Sequence, residues 1–296
     1  MDLLYRRGLS ANALLKKGIW LANRPSIWRP SKGQQVQKIT IDSVPAELLV
    51  SDDGMDDHII FHLHGGGYVV GLMDLYRFAA SKYSKISGGA KVLTIDYRTA
   101  PEHVYPAALE DTEKAWDWLI NNGYKEEKII VIGDSAGGNL AVSLLMKLRD
   151  KGRKLPKALI TLSPWLDITA SGSSYHTHRF RDPIFGIKKE EDDLFEIHSF
   201  LADYFIHHNL THPYISPIYG EFTNFPNTLI QVGTEELLLS DAMTFYEKAK
   251  EANVNITLTT YEGMFHDFQI LTSFLPESKK AWEEIEAFIK TQWNIT

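Results

Sequence analysis

Five short stretches of this chain, HIIFHL (58–63), KVLTID (91–96), KIIVIG (128–133), KALITLS (157–163) and TLIQVG (228–233), are apolar without alternation. A strand with one wet face alternates apolar and polar residues; one buried on both faces does not. Each of the first three runs leads into a helical pattern: Asp74 to Ile86 with a stop at Gly88, about 107 to 122 with a stop at Gly123, and AGGNLAVSLLMKLRDKG with a stop at Gly152. After the fifth come a helix from Ser240 to Ala252, the strand ITLTTY and a closing amphipathic helix carrying Trp282, Ile285, Phe288 and Ile289. Strands that alternate with helices predict an α/β chain: a mostly parallel central sheet with helices on both faces. Ahead of this rhythm QKITIDSV and AELLV predict two short edge strands broken at Pro45, and between Trp165 and about Pro213 the rhythm lapses. There the polar GSSYHTHRFRD precedes a predicted helix with Leu194, Ile197, Leu201, Tyr204 and Phe205, which reads as an insertion capping the sheet together with amino-terminal helices.

The 296 residues include no cysteine, which excludes disulfides, thiol nucleophiles, iron–sulfur clusters and cysteine-based zinc sites. A formal net charge of -7 argues against nucleic acid as a partner. The first twenty residues interrupt their leucines with Arg6, Arg7, Lys16 and Lys17, unlike a secretory signal, and no run reaches the roughly 20 apolar residues of a transmembrane helix. A cytoplasmic location is the resulting expectation, with the oligomeric state open, a homodimer included.

The chemistry is concentrated in three places. Gly133-Asp134-Ser135-Ala136-Gly137 is a G-x-S-x-G set between an apolar strand and a helix, the context in which a strained turn lifts a nucleophilic serine above a sheet. His64-Gly65-Gly66-Gly67 follows an earlier strand; acyl transfer puts negative charge on a carbonyl oxygen, and the N–H groups of Gly65, Gly66 and Ala136 are the expected oxyanion hole. Of the histidines after Ser135, only His266 lies outside the insertion, in a loop directly after ITLTTY. The third member, an acid, should follow TLIQVG, where Glu235 and Glu236 are undecided; Asp241 reads as a first-turn acid, and Asp167 is an outside candidate.

With HGGGY and GDSAGG, the stretches DYRTAPEH, YPAALED, SPWLD, HPYISPIYG, LIQVGTEELLLSDA and YEGMFHDF make the chain resemble the hormone-sensitive-lipase-like family of α/β-hydrolases over most of its length. The resemblance implies an α/β-hydrolase fold in one domain, 1–296, with a helical cap from about 1–40 and an insertion at about 165–212. It puts the acid three residues beyond the strand-ending glycine, on Glu236, where many members have aspartate. It also gives Tyr68 the substrate-binding aromatic place after the glycines. The implied activity is hydrolysis of short- to medium-chain carboxylic esters, small-molecule substrates, by Ser135, His266 and Glu236 with no cofactor, and Trp20, Phe200 or Phe205 would suit a cap lining. Two alternatives stand beside it: a catalytically silent ligand-binding protein of the same fold, as in plant hormone receptors that have lost the histidine, and a metal site built from Asp203, His207, His208 and His212.

Overall fold

In the computed structural model, residues 24–187 and 203–295 are described here. The two edge strands, β1 (Gln34–Ile41) and β2 (Val44–Ser51), form a hairpin whose two-residue turn, Asp42–Ser43, takes φ of 43° and 73°. Two left-handed residues match the twist of the flanking strands. The break therefore falls at Asp42–Ser43 and not at Pro45, which stands inside β2 opposite Thr40. That pair is next to the loop-closing pair Ile41–Val44, so it exchanges no hydrogen bonds and the missing proline N–H is not needed there.

The remaining strands are β3 (Ile59–Leu63), β4 (Lys91–Ile95), β5 (Ile129–Asp134), β6 (Ala158–Leu162), β7 (Asn227–Gly233) and β8 (Ile256–Tyr261). They join the hairpin in one eight-stranded sheet of order β1-β2-β4-β3-β5-β6-β7-β8, antiparallel between β1, β2 and β4 and parallel elsewhere. Between them run α1 (Asp74–Ile86), α2 (Ala107–Asn121), α3 (Ser135–Asp150), the single turn α4 (Ser174–Thr177), α5 (Leu239–Glu251), the short α6 (Phe268–Leu271) and α7 (Pro276–Trp293). Odd and even residues of a strand face opposite ways, and here each face has its own core. Phe61, Leu63, Val131 and Leu159 pack with Leu109, Trp116, Leu144 and Phe245 from α2, α3 and α5, whereas Ile60, Ile130, Ile132 and Ile160 pack with Tyr83, Trp282 and Ile289 from α1 and α7. This is why those strands read as unbroken apolar runs.

After β3 the chain moves to β4 on one side, and after β4 it returns to β5 on the other side of β3. Loops leaving β3 and β5 thus separate at the carboxyl end of the sheet and open a crevice there, the usual place for a ligand in such sheets. The glycines HGGG follow β3, and Ser135 stands at the junction where β5 passes directly into α3. Among the described residues no helix is long and apolar enough to cross a membrane.

The helices predicted at the amino terminus and most of the predicted insertion helix, with Trp20, Leu194, Ile197, Phe200 and Leu201, lie outside the described residues. Tyr204 and Phe205 occupy a 3-10 turn (Asp203–Phe205) followed by turns.

Candidate active site

Ser135 stands at φ 51°, a left-handed conformation that a serine adopts only where its surroundings enforce it. The close packing around it explains its glycines. A Cβ on Gly133 would sit 2.2 Å from the carbonyl oxygen of Gly137, and one on Gly137 would sit 2.0 Å from that of Leu63 in β3. Ser135 is 5% exposed and opens into a cavity of about 820 Å³.

His266 and Glu236 reach the same point from the ends of β8 and β7. The Nδ1–H of His266 donates to Glu236 Oε2 at 3.1 Å, and both side chains are buried. Glu236 Oε1 accepts from the Gly233 amide at 2.6 Å and from Ser163 Oγ at 2.7 Å. Burial raises the Glu236 pKa above its ordinary value, and its three donors, His266, Gly233 and Ser163, work against that by favouring the carboxylate form. Burial pushes the His266 pKa down, but Asp267 and Glu236 outweigh it and hold the group well above its ordinary value. His266 and Ser135 line one cavity; among the described hydrogen bonds none joins Ser135 Oγ to the ring.

The other acids are engaged elsewhere. Glu235 makes a two-point ion pair with Arg181, at 2.8 and 2.5 Å, which lowers its pKa. Asp241 is buried and accepts from the amides of Leu166 and Asp167, both at 2.8 Å, tying the loop after β6 to α5. Asp167 closes its own turn onto the amides of Thr169 and Ser171.

The glycine loop departs from expectation at one donor. Gly65 N–H donates to the buried carboxyl of Asp134 at 3.0 Å, which removes it from the expected oxyanion hole. Gly66 and Gly67, at φ 115° and 62°, line the cavity beside Ser135. The Ala136 N–H lies in the first turn of α3, where no helical carbonyl can take it. His64 braces the loop: its Nδ1–H donates to the Gly65 carbonyl at 2.7 Å, its ring stacks on Tyr97 at 4.3 Å, and burial lowers its pKa.

Tyr68, expected to touch substrate, packs behind the site instead. Its hydroxyl donates to Asn139 Oδ1 at 2.8 Å and its ring stacks on Tyr204 at 4.4 Å; neither it nor Phe205 is among the described lining residues. The lining is Val70, Met73, Leu75, Ile184, Phe185 and Ile270, with Arg77 and Asp74 paired to each other across the wall at 3.0 Å. Nor are Asp203, His207, His208 and His212 brought together: among the described residues no group of three or more potential ligands is placed to hold a metal.

Two residues that the sequence reading passed over complete the site. Ser163, at the end of β6, donates to Glu236 and accepts the Asp267 amide at 3.2 Å, so it couples the acid to the histidine loop. Asp182 accepts from the amides of Ile184 and Leu237, at 2.8 and 2.9 Å, and so binds the insertion to the acid loop. Their only advance signal is position: Ser163 ends a central parallel strand, where sites of this architecture form.

Comparison with known proteins shows the family. The profile of a family described as alpha/beta hydrolase fold matches residues 60–270. An acetyl-hydrolase of Streptomyces hygroscopicus is 35% identical over 253 residues, 86% of this chain and 82% of that protein. An esterase of Acinetobacter venetianus is 33% identical, over 86% of this chain and 81% of its own length. The crystal structure of an esterase from the bacterial hormone-sensitive lipase family superposes with a TM-score of 0.82 at 34% identity, covering 95% of this chain and 97% of that one. The chain belongs to the α/β-hydrolase fold family, among its hormone-sensitive-lipase-like members. Within that class it is a carboxylic ester hydrolase.

Proposed function

We propose that this hydrolase cleaves short- to medium-chain carboxylic esters by a two-step serine mechanism using Ser135, His266 and Glu236. Ser135 Oγ attacks the ester carbonyl as His266 Nε2 takes its proton, and Glu236 orients the ring through Nδ1 and stabilises the imidazolium. The imidazolium then returns that proton to the leaving alkoxide, leaving an acyl-enzyme on Ser135. Water gives a proton to the same nitrogen and attacks the acyl carbonyl, which releases the acid and restores the serine. The oxyanion of each tetrahedral intermediate is received by the N–H groups of Gly66, Gly67 and Ala136.

The observation that carries this reading is the buried carboxylate of Glu236 on Nδ1 of a histidine that shares one cavity with an elbow serine. An apolar wall and a volume of about 820 Å³ support a neutral ester with a modest acyl chain. The relatives' names, acetyl-hydrolase and esterase, support the same end of the range. In this reading residues 24–33, 165–187 and 203–212 belong to the cap; Ile27, Ile184 and Phe185 on the cavity wall support it.

Fluorophosphonate labelling followed by peptide mapping should modify Ser135 alone, and p-nitrophenyl acetate and butyrate should turn over faster than octanoate. Ser135→Ala or His266→Ala should lose about 10⁶ in kcat, and Glu236→Gln about 10⁴. Three variants as active as the parent chain would refute the triad.

A further inference from the structure

The fold offers a carboxylate to each ring nitrogen of His266. Glu236 Oε2 is 3.1 Å from Nδ1. Asp267 Oδ2 is 3.1 Å, an ion-pair distance, from Nε2, the nitrogen that must be open to receive the serine proton. Asp267 is held there by its backbone, at φ 53° and ψ 28°, and by the donation of its amide to Ser163 Oγ. Its Oδ1 is buried without a hydrogen-bond partner, so no second donor draws the carboxylate away from the ring.

Resting on the triad reading, we propose that Asp267 is a positioning residue that competes with Ser135 for Nε2, clamping His266 in its doubly protonated form so that loss of one proton switches the hydrolase on. Between two carboxylates an imidazole gains most by carrying both N–H groups. In the clamped form both nitrogens are donors and none can act as a base. Transfer of the Nε2 proton to solvent water leaves Nδ1–H on Glu236 and a lone pair on Nε2, which then takes the Ser135 proton as Oγ attacks.

The other charges facing the ring push the same way or are neutralised. Burial and then the charge of Asp267 push the pKa of Asp134, at the end of β5, well above its ordinary value. Asp182, from the insertion, lies near enough to feel the imidazolium. Across the cavity Arg77 is matched by Glu47 at 2.8 Å and by Asp74, and Arg24 has interactions of its own. The His266 pKa, held well above the ordinary value, lies in the direction the clamp requires.

The test is the pH dependence of kcat/KM for p-nitrophenyl butyrate in the parent chain and in Asp267→Asn. Asparagine keeps the size, tolerates a left-handed backbone and removes the charge. The acid limb should move down by about one to three pH units, so that at pH 6 the variant is at least about tenfold faster, with the two profiles converging in alkali. Superimposed limbs would overturn the clamp. A second readout is independent of the variant's folding: in Ser135→Ala, ¹⁵N NMR at pH 8 should find both nitrogens of His266 protonated, and a neutral ring there would also overturn it. Failure of the triad reading looks different, because Ser135→Ala and His266→Ala would then keep their activity and the clamp would fall with it. If both are inactive while the Asp267→Asn profile is unchanged, only the clamp is wrong.

Discussion

At the scale of single residues, the site depends on who donates to whom. Glu236 and Glu235 are neighbours of the same type, yet one is buried on His266 and the other is paired with Arg181. Ser163 decides how firmly the buried one is held, because its hydroxyl links Glu236 Oε1 to the Asp267 amide. In Ser163→Ala, Glu236 keeps the Gly233 amide and loses one donor, while a partly buried N–H loses its acceptor. The two lost hydrogen bonds are worth about 1 kcal/mol each, and steady-state kinetics should show kcat lower by about tenfold with KM little changed. A raised KM with kcat intact would assign Ser163 to substrate binding instead.

At the scale of elements, α3 is pressed against the sheet so closely that its first twelve residues are all buried. The contact is backbone to backbone at Gly137, where no rotamer change could relieve an added Cβ lying 2.0 Å from Leu63 O. Gly123, just past the end of α2, is a contrasting case: at φ 88° it has nothing within 4 Å of an added Cβ. Gly123→Ala should therefore cost only the left-handed backbone penalty, about 1 kcal/mol, whereas Gly137→Ala should cost about 3 kcal/mol or more or prevent folding. Urea unfolding of the two variants separates the reasons; equal losses would mean that α3 can shift away from β3.

At the scale of the whole molecule, buried titratable groups set the pH range of stability. His62, in the middle of β3, is fully buried, and burial together with the nearby His64 pushes its pKa down to about 3. Its unfolded value is near 6.5, so its contribution to stability is complete above that pH and is lost as pH falls toward 3. Unfolding in this window takes up one proton at His62. His62→Leu should accordingly remove about 1.4 kcal/mol per pH unit from the acid slope of the unfolding free energy between pH 6 and pH 4. An unchanged slope would show that His62 is charged in the folded chain.

How much of this was legible varies with the range of the forces involved. Continuous apolar runs and glycine stops are local statements of burial and backbone conformation, so the parallel sheet, α1 at its observed bounds and β8 could be read directly. Pro45 misled because a proline is harmless in a strand when its nitrogen has no ladder partner, and only the pairing register shows that. Motif context and family resemblance singled out Ser135, His266 and Glu236, and in the fold Ser135 and His266 face one cavity while Glu236 is bonded to His266. Gly65 and Tyr68 were not: the carboxyl of Asp134 takes one amide, and Asn139 with Tyr204 holds the phenol, contacts across 69, 71 and 136 residues of chain. Adjacency placed Asp267 beside His266, but which nitrogen its carboxylate faces depends on the left-handed turn and its anchor on β6. Local pattern by itself determined the elements and the candidate chemistry; the tertiary structure alone decided which donors stay free, because hydrogen bonds between distant segments are short-ranged and directional.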